Sequence, residues 1–114
     1  MKIKESGDMI TYEDFKKLEM RVGKVLSVED VLRAERLYKI RVDIGDREIQ
    51  LVSSLKEHYT KEELVGKTIV VLTNLSPAKF SGEVSEGMLL AAELGDKCVL
   101  LTTDRVIETG APIT

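Results

Sequence analysis

Two cations alternate with apolar residues in the run Tyr38-Lys39-Ile40-Arg41-Val42-Asp43-Ile44. In an extended strand every second side chain shares a face, so Lys39 and Arg41 stand together while Tyr38, Ile40, Val42 and Ile44 turn toward a core. Such a pair can attract phosphate oxygens without regard to base sequence, and each contact of that kind carries a salt dependence. A merely solvated strand face has the same pattern, and the residues alone leave both readings open. Bond-making chemistry finds less material. The chain has one histidine, His58, and one cysteine, Cys98. No Ser/His/Asp triad, Cys/His pair or zinc-ligand spacing can be assembled from them. Carboxylates are plentiful, but nothing in their spacing points to a catalytic pair. The expectation is therefore a chain that is not an enzyme, with no catalytic residue, no metal and no cofactor. Cys98 reads as a small buried hydrophobe in the last strand, and a lone cysteine fits a reducing cytosol.

The elements that would hold Lys39 and Arg41 follow from local chemistry. The 114 residues suit one domain. Thr11 is placed to cap a short helix, with Asp14 reaching back to the cap and Ile10 and Phe15 at the staple positions. Thr60 and Glu63 repeat the arrangement, with Tyr59 and Leu64 as the staple, and Gly66 ends that turn. Between the helices, Met20 to Val28 reads as a strand in which Gly23 marks a bulge or a close backbone approach. Gly45-Asp46 turns the Tyr38–Ile44 strand into Ile49–Val52. Thr68–Thr73 is a fully apolar strand, Asn74 to Glu86 a loop containing Pro77 and Gly82, and Met88–Ala92 a buried run. Gly95-Asp96 leads into Cys98–Leu101, and Thr102–Thr114 is expected to be extended. Five strands with a helix between the third and fourth is the OB-fold order. The fold class expected is all-β with short helices: a five-stranded OB-fold barrel with an N-terminal helix and a C-terminal extension. The barrel would occupy about residues 10–93 of a single domain 1–114, and the extension residues 94–114.

The net charge of −3 is unevenly spread. Residues 16–41 hold eight Lys/Arg against four acids, while residues 83–114 hold six acids against Lys97 and Arg105. A basic face on an acidic body fits that distribution, as does chance clustering of solvated charges. The start from Met1 to Asp8 is polar, with no apolar signal region, and no stretch approaches a membrane span. A cytoplasmic chain with no membrane partner is expected.

Read in order, the segments Arg21-Val22-Gly23-Lys24-Val25, Ala34-Glu35-Arg36-Leu37, Val42-Asp43-Ile44-Gly45, Glu62-Glu63-Leu64-Val65-Gly66-Lys67, Asn74-Leu75-Ser76-Pro77-Ala78-Lys79 and Ser85-Glu86-Gly87-Met88-Leu89-Leu90-Ala91-Ala92 resemble the EMAP-II-like tRNA-binding domain family. Each segment is weak alone; their order and spacing carry the resemblance, which runs from about Ile10 to Glu93. It implies a non-catalytic module that binds tRNA by shape. Such a module would deliver tRNA to methionyl-tRNA synthetase or serve as that enzyme's β subunit. It also implies a homodimer in which the segment beyond the barrel helps the subunits meet.

The site residues that follow are Arg21, Lys24, Lys39, Arg41, Asn74, Lys79, Ser85 and Met88. Arg21 and Lys24 come from the Arg-Val-Gly-Lys match, and Arg21 could hold phosphate or pair with a carboxylate. Lys79 could close over a backbone from its loop, or stand exposed. Asn74 and Ser85 offer donors and acceptors to bases or a 2′-hydroxyl, and Met88 an adaptable contact to a base. Equally, Asn74 could cap a turn and Met88 belong to the core. Of the aromatic residues only Phe80 is placed to stack, which suits folded RNA better than a single strand. The chain has Asp30-Val31-Leu32-Arg33 where the family often has a His-Pro pair. Its pI near 5.3 is lower than that of many members. A related secretion chaperone shares the fold, so a peptide-binding chaperone is the alternative function. Gly87-Met88 sides with the tRNA binders.

Overall fold

The computed structural model describes residues 8–114, and the polar start read at Met1 to Gly7 lies outside them. Both expected helix starts form as capped single turns. In α1 (Tyr12–Lys16) the Thr11 hydroxyl accepts from the Asp14 N–H, and the Asp14 carboxylate accepts from the Thr11 N–H, each at 3.1 Å. In α2 (Lys61–Leu64) Thr60 and Glu63 do the same, at 3.1 and 2.8 Å. Two orphan donors are satisfied at each start, which is why such short helices hold.

The body is one five-stranded antiparallel sheet. β1 (Met20–Val31), β2 (Ala34–Asp43), β3 (Glu48–Ser53), β4 (Thr68–Leu72) and β7 (Met88–Leu89) lie in the order β3-β2-β1-β4-β7. β1 is long because it serves two neighbours in succession. Its first half, Met20 to Lys24, pairs with β4, and its second half, Lys24 to Val31, with β2. The register slips between Val25 and Ser27, so the bulge lies at Leu26 rather than at Gly23. Gly23 is a close approach instead: a Cβ there would stand 2.8 Å from Val42 Cγ1 and 3.0 Å from Val71 Cγ2. The inward row of β2 is Tyr38, Ile40 and Val42, continued by Ile44 just past its end, as the alternation predicts. It meets Val25, Ile49, Leu51, Ile69, Val71 and Leu89, and Leu64 plugs the core from α2. Burying each of these side chains stabilises the fold by roughly 1.5–3 kcal/mol before entropy is counted.

Three expectations are corrected. The sheet is of OB type but is not closed into a barrel by a strand ladder, because β7 is only two residues long and pairs with β4 alone. Its other edge, β3, is satisfied by single hydrogen bonds. Gln50 N donates to Glu86 Oε1 and Glu86 N to Gln50 O, both at 2.8 Å, and Gln50 Nε2 donates to Val84 O at 2.8 Å. The Val52 N–H donates to Ser85 Oγ at 3.0 Å. Next, residues 74–86 are not all loop: β5 (Ala78–Phe80) and β6 (Glu83–Ser85) form a hairpin on a Ser81-Gly82 turn, both at positive φ. That is the handedness a two-residue hairpin turn needs, and the Ser-Gly pair was its signal. Finally, Met88–Ala92 is not a buried run. Leu89 is buried, but Met88 and Ala92 are exposed, because the chain changes sheets at Leu90. The Leu90 N–H donates to Val70 O, and the Leu90 carbonyl accepts from Leu101 N–H. β8 (Ala91–Leu94) and β9 (Lys97–Leu100) then form a separate hairpin about Gly95-Asp96.

The segment after β9 returns to the sheet. Arg21 bridges Pro112, Val22 N donates to Ala111 O, Gly110 N to Val22 O and Ile113 N to Met20 O. The tail thus covers the edge of β1 that β2 leaves open. Gly110 passes so close to the β2–β3 turn that a Cβ on it would sit 2.8 Å from the Gly45 Cα. No helix among the described residues is long and apolar enough to cross a membrane.

Candidate nucleic-acid interface

The outward face of the sheet is built in rows. Register places Lys39 between Glu29 on β1 and Val52 on β3, and Arg41 between Ser27 and Gln50. The β5–β6 hairpin folds over the end of this face. Its alternation and pairing turn Ala78, Phe80, Glu83 and Ser85 toward the sheet and leave Lys79 and Val84 on its outer side. Between hairpin and sheet lies an open groove of about 300 Å³. Its apolar walls are Leu37, Val52, Leu75, Phe80 and Met88, with the Ser53, Ser54 and Ser76 residues along its polar side. Leu75, Phe80 and Met88 are each close to half exposed, although large apolar side chains favour burial. A flat apolar ligand edged by hydrogen-bonding groups suits such a slot.

The eight expected residues divide. Met88 and Ser85 line the groove, and Lys39 stands beside it. The Lys39 ammonium is 3.4 Å from Glu83 and 3.5 Å from Glu29, and attraction to Glu83 above all holds its pKa above the usual lysine value. Arg41 donates through Nε to Glu48 at 3.0 Å. Ser85 is buried: its hydroxyl accepts from Val52 N–H and donates to Gly87 O at 2.9 Å. Lys79 is on the hairpin's outer side, and neither it nor Lys24 makes a side-chain ion pair or hydrogen bond among the described residues.

Arg21 and Asn74 lie together elsewhere, in a depression beside the tail. Arg21 pairs with Asp46 at 2.7 Å and Glu19 at 2.8 Å. Partial burial works against its charge, but those carboxylates outweigh it and raise its pKa. Asn74 accepts from Glu19 N–H at 2.9 Å and donates to Lys17 O at 2.7 Å, fastening the entry of β1 to the end of β4. Residues that the sequence reading missed are Gln50, Leu75 and Glu83; only the hairpin register, signalled by Ser81-Gly82, could have found Glu83. Because Ser85 seals the β3 edge, Ser85→Ala strands the Val52 N–H. It is expected to cost about 1–3 kcal/mol of stability in urea unfolding, ahead of any effect on a ligand.

An OB-type sheet with a lysine and an arginine on one strand face and an apolar groove beside its loops has the architecture of the domains that bind oligonucleotides and oligosaccharides across that face. Within that class the family model described as "Putative tRNA binding domain" matches residues 20–112, and the chain belongs to that family. It is 50% identical over 109 residues to the methionine–tRNA ligase of Archaeoglobus fulgidus, covering 96% of this chain and 17% of that protein. Among the first curated relatives it spans between 14% and 17% of their length. The structure is similar to a MetRS-related protein from Pyrococcus horikoshii, with a TM-score of 0.88 and 35% identity over 94% of this chain and 99% of that one. It is also similar to the chaperone CsaA from Bacillus anthracis, at a TM-score of 0.86 and 27% identity over 94% and 100%.

Proposed function

We propose that this chain is a non-catalytic tRNA-binding module that brings tRNA to methionyl-tRNA synthetase, as its β subunit or as an appended domain, in the cytoplasm. The observation that supports this best is the groove: half-exposed Phe80 and Met88 form a slot for an unpaired base, and Lys39 and Arg41 line the adjoining strand face where a backbone would run. Binding without chemistry still helps a synthetase, because a tethered tRNA has a raised local concentration near the active site. We read residues 1–114 as one domain, with the barrel-like part at about 10–93. The extension 94–114 joins two copies, and its exposed Leu94, Val99, Leu101 and Ile107 support that role. Lys24 and Lys79, which pair with no carboxylate among the described residues, add further cations for a backbone to meet. Arg21, Asn74 and Ser85 hold the site in shape through the bonds described above.

The test is a titration of bulk tRNA at low and moderate salt, with a DNA duplex and an unfolded peptide beside it. Preferential binding of tRNA that weakens with salt is expected. In Lys39→Ala/Arg41→Ala the salt slope falls by between about one and two, since each phosphate contact contributes about one. Lys39 contributes less than a full unit because it must leave its carboxylates. Binding of the peptide with no tRNA bound at low salt would instead support a chaperone function, which the apolar lining and the likeness to CsaA favour as the second reading.

A further inference from the structure

The sequence-independent attraction of Lys39 for phosphate is already spent on protein carboxylates, and the two acids are not equivalent. Glu29 sits directly across the ladder from Lys39, in the half of β1 that is held by its long ladder with β2. Glu83 sits 44 residues from Lys39 in sequence, on the inner face of a hairpin whose two strands are three residues each. A two-stranded hairpin of that size has little stability of its own. It is held down at one end by the Ser85 and Gln50 hydrogen bonds. At the Ser81-Gly82 end, the Glu83–Lys39 ion pair is the side-chain tie between its inner face and β2. Glu83 pairs across the hairpin with Phe80, so the carboxylate borders the groove on the side where Lys39 meets Val52.

We infer that Glu83 is an internal stand-in for a phosphate: in the free protein it occupies Lys39 and latches the β5–β6 hairpin over the groove, and an incoming nucleic-acid phosphate must displace it. The inference rests on the tRNA-binding reading and makes Glu83 a specificity residue. A ligand that fills the groove and carries an anion next to the inserted group releases the latch and gains Lys39. An uncharged apolar ligand of the same shape gains no cation and leaves the hairpin pinned. Exchange of one carboxylate for another anion on Lys39 also makes the net electrostatic gain small in the free chain, in keeping with its acidic surface.

The experiment compares the full chain with Glu83→Gln, Lys39→Ala and the double variant. Binding is read by tRNA titration across salt, and hairpin mobility by hydrogen–deuterium exchange over residues 78–85 without RNA. Glu83→Gln is expected to bind tRNA about two- to fivefold more tightly, the scale of a partly exposed surface ion pair, and with a steeper salt dependence. That gain vanishes in the Lys39→Ala background, and both single variants speed exchange in the hairpin. An equal gain with and without Lys39 would reduce Glu83 to a general negative charge and overturn the proposal, as would unchanged exchange in both single variants. If no variant binds tRNA even at low salt, the tRNA reading fails and the phosphate-exchange step fails with it. Faster exchange in both variants would then still locate the latch itself.

Discussion

Phe80→Ala is expected to weaken tRNA binding by about fivefold to a hundredfold while leaving the unfolding midpoint almost unchanged. A base stacked on an aromatic ring contributes about 1–3 kcal/mol, and each 1.4 kcal/mol is a factor of ten. Phe80 is 46% exposed and lies outside the core cluster, so its removal leaves no sealed cavity behind. Met88, equally exposed on the opposite wall, can follow a ligand's shape but offers no flat face, so Met88→Ala should cost less. Phe80→Leu separates stacking from simple apolar contact: a stacked base loses most of its affinity, whereas an apolar peptide side chain keeps most of its own. Fluorescence anisotropy with tRNA and peptide, together with thermal melts of each variant, checks all of these outcomes. A Phe80→Ala chain that binds tRNA as tightly as the parent would remove the groove from the RNA interface.

A large loss of stability is expected at Gly110, away from the groove. Its φ is +95°, a region that side-chain-bearing residues rarely enter. A Cβ there would also stand 2.8 Å from the Gly45 Cα and 3.0 Å from the Ile44 carbonyl oxygen. Both obstacles are backbone, so no rotamer change relieves them. The backbone conformation costs roughly 1–2 kcal/mol and the overpacking about 1–3 kcal/mol, so Gly110→Ala should cost about 2–5 kcal/mol in urea unfolding. Gly66→Ala serves as the control, since Gly66 has a φ of +86° with no atom near its missing Cβ. The excess loss at Gly110 is then the conflict between the tail and the β2–β3 turn. Equal losses at the two positions would mean that the tail yields readily.

What could be read in the sequence depended on how far apart the partners lie. The two capping boxes join residues three apart, and both formed as written. The alternation from Tyr38 to Ile44 is a property of one strand, and its inward row is buried. The first four strands of the main sheet and the helix after the third were legible for the same reason, whereas the break of the fifth at Leu90 was not. The missing barrel closure was not, because it depends on how β3 meets residues 84–86, some thirty-five positions away. Nor were the partners of the candidate site residues. Lys39 could be placed on an outward face by periodicity, but nothing local says that Glu83 will cover it. Asn74 and Ser85 were located through resemblance, and their side chains turned out to be engaged with backbone groups of Lys17, Glu19, Val52 and Gly87. Where an amide or hydroxyl is consumed by long-range backbone contacts, residue type alone does not reveal it.

The pairing of the tail with β1 bears on how such a module can be wired into larger proteins. Arg21 bridges Pro112 and the Ile113 N–H donates to the Met20 carbonyl at 2.9 Å, so the two boundaries of the family-matched region, residues 20 and 112, lie side by side. A unit whose entrance and exit coincide can be spliced into a surface loop of a host with little strain at either junction. It can also be circularly permuted, its old ends joined by a short linker and new ones opened at an exposed turn such as Gly95-Asp96. The groove would travel intact through either rearrangement, since Leu37, Val52, Phe80 and Met88 all lie between those boundaries and away from the seam.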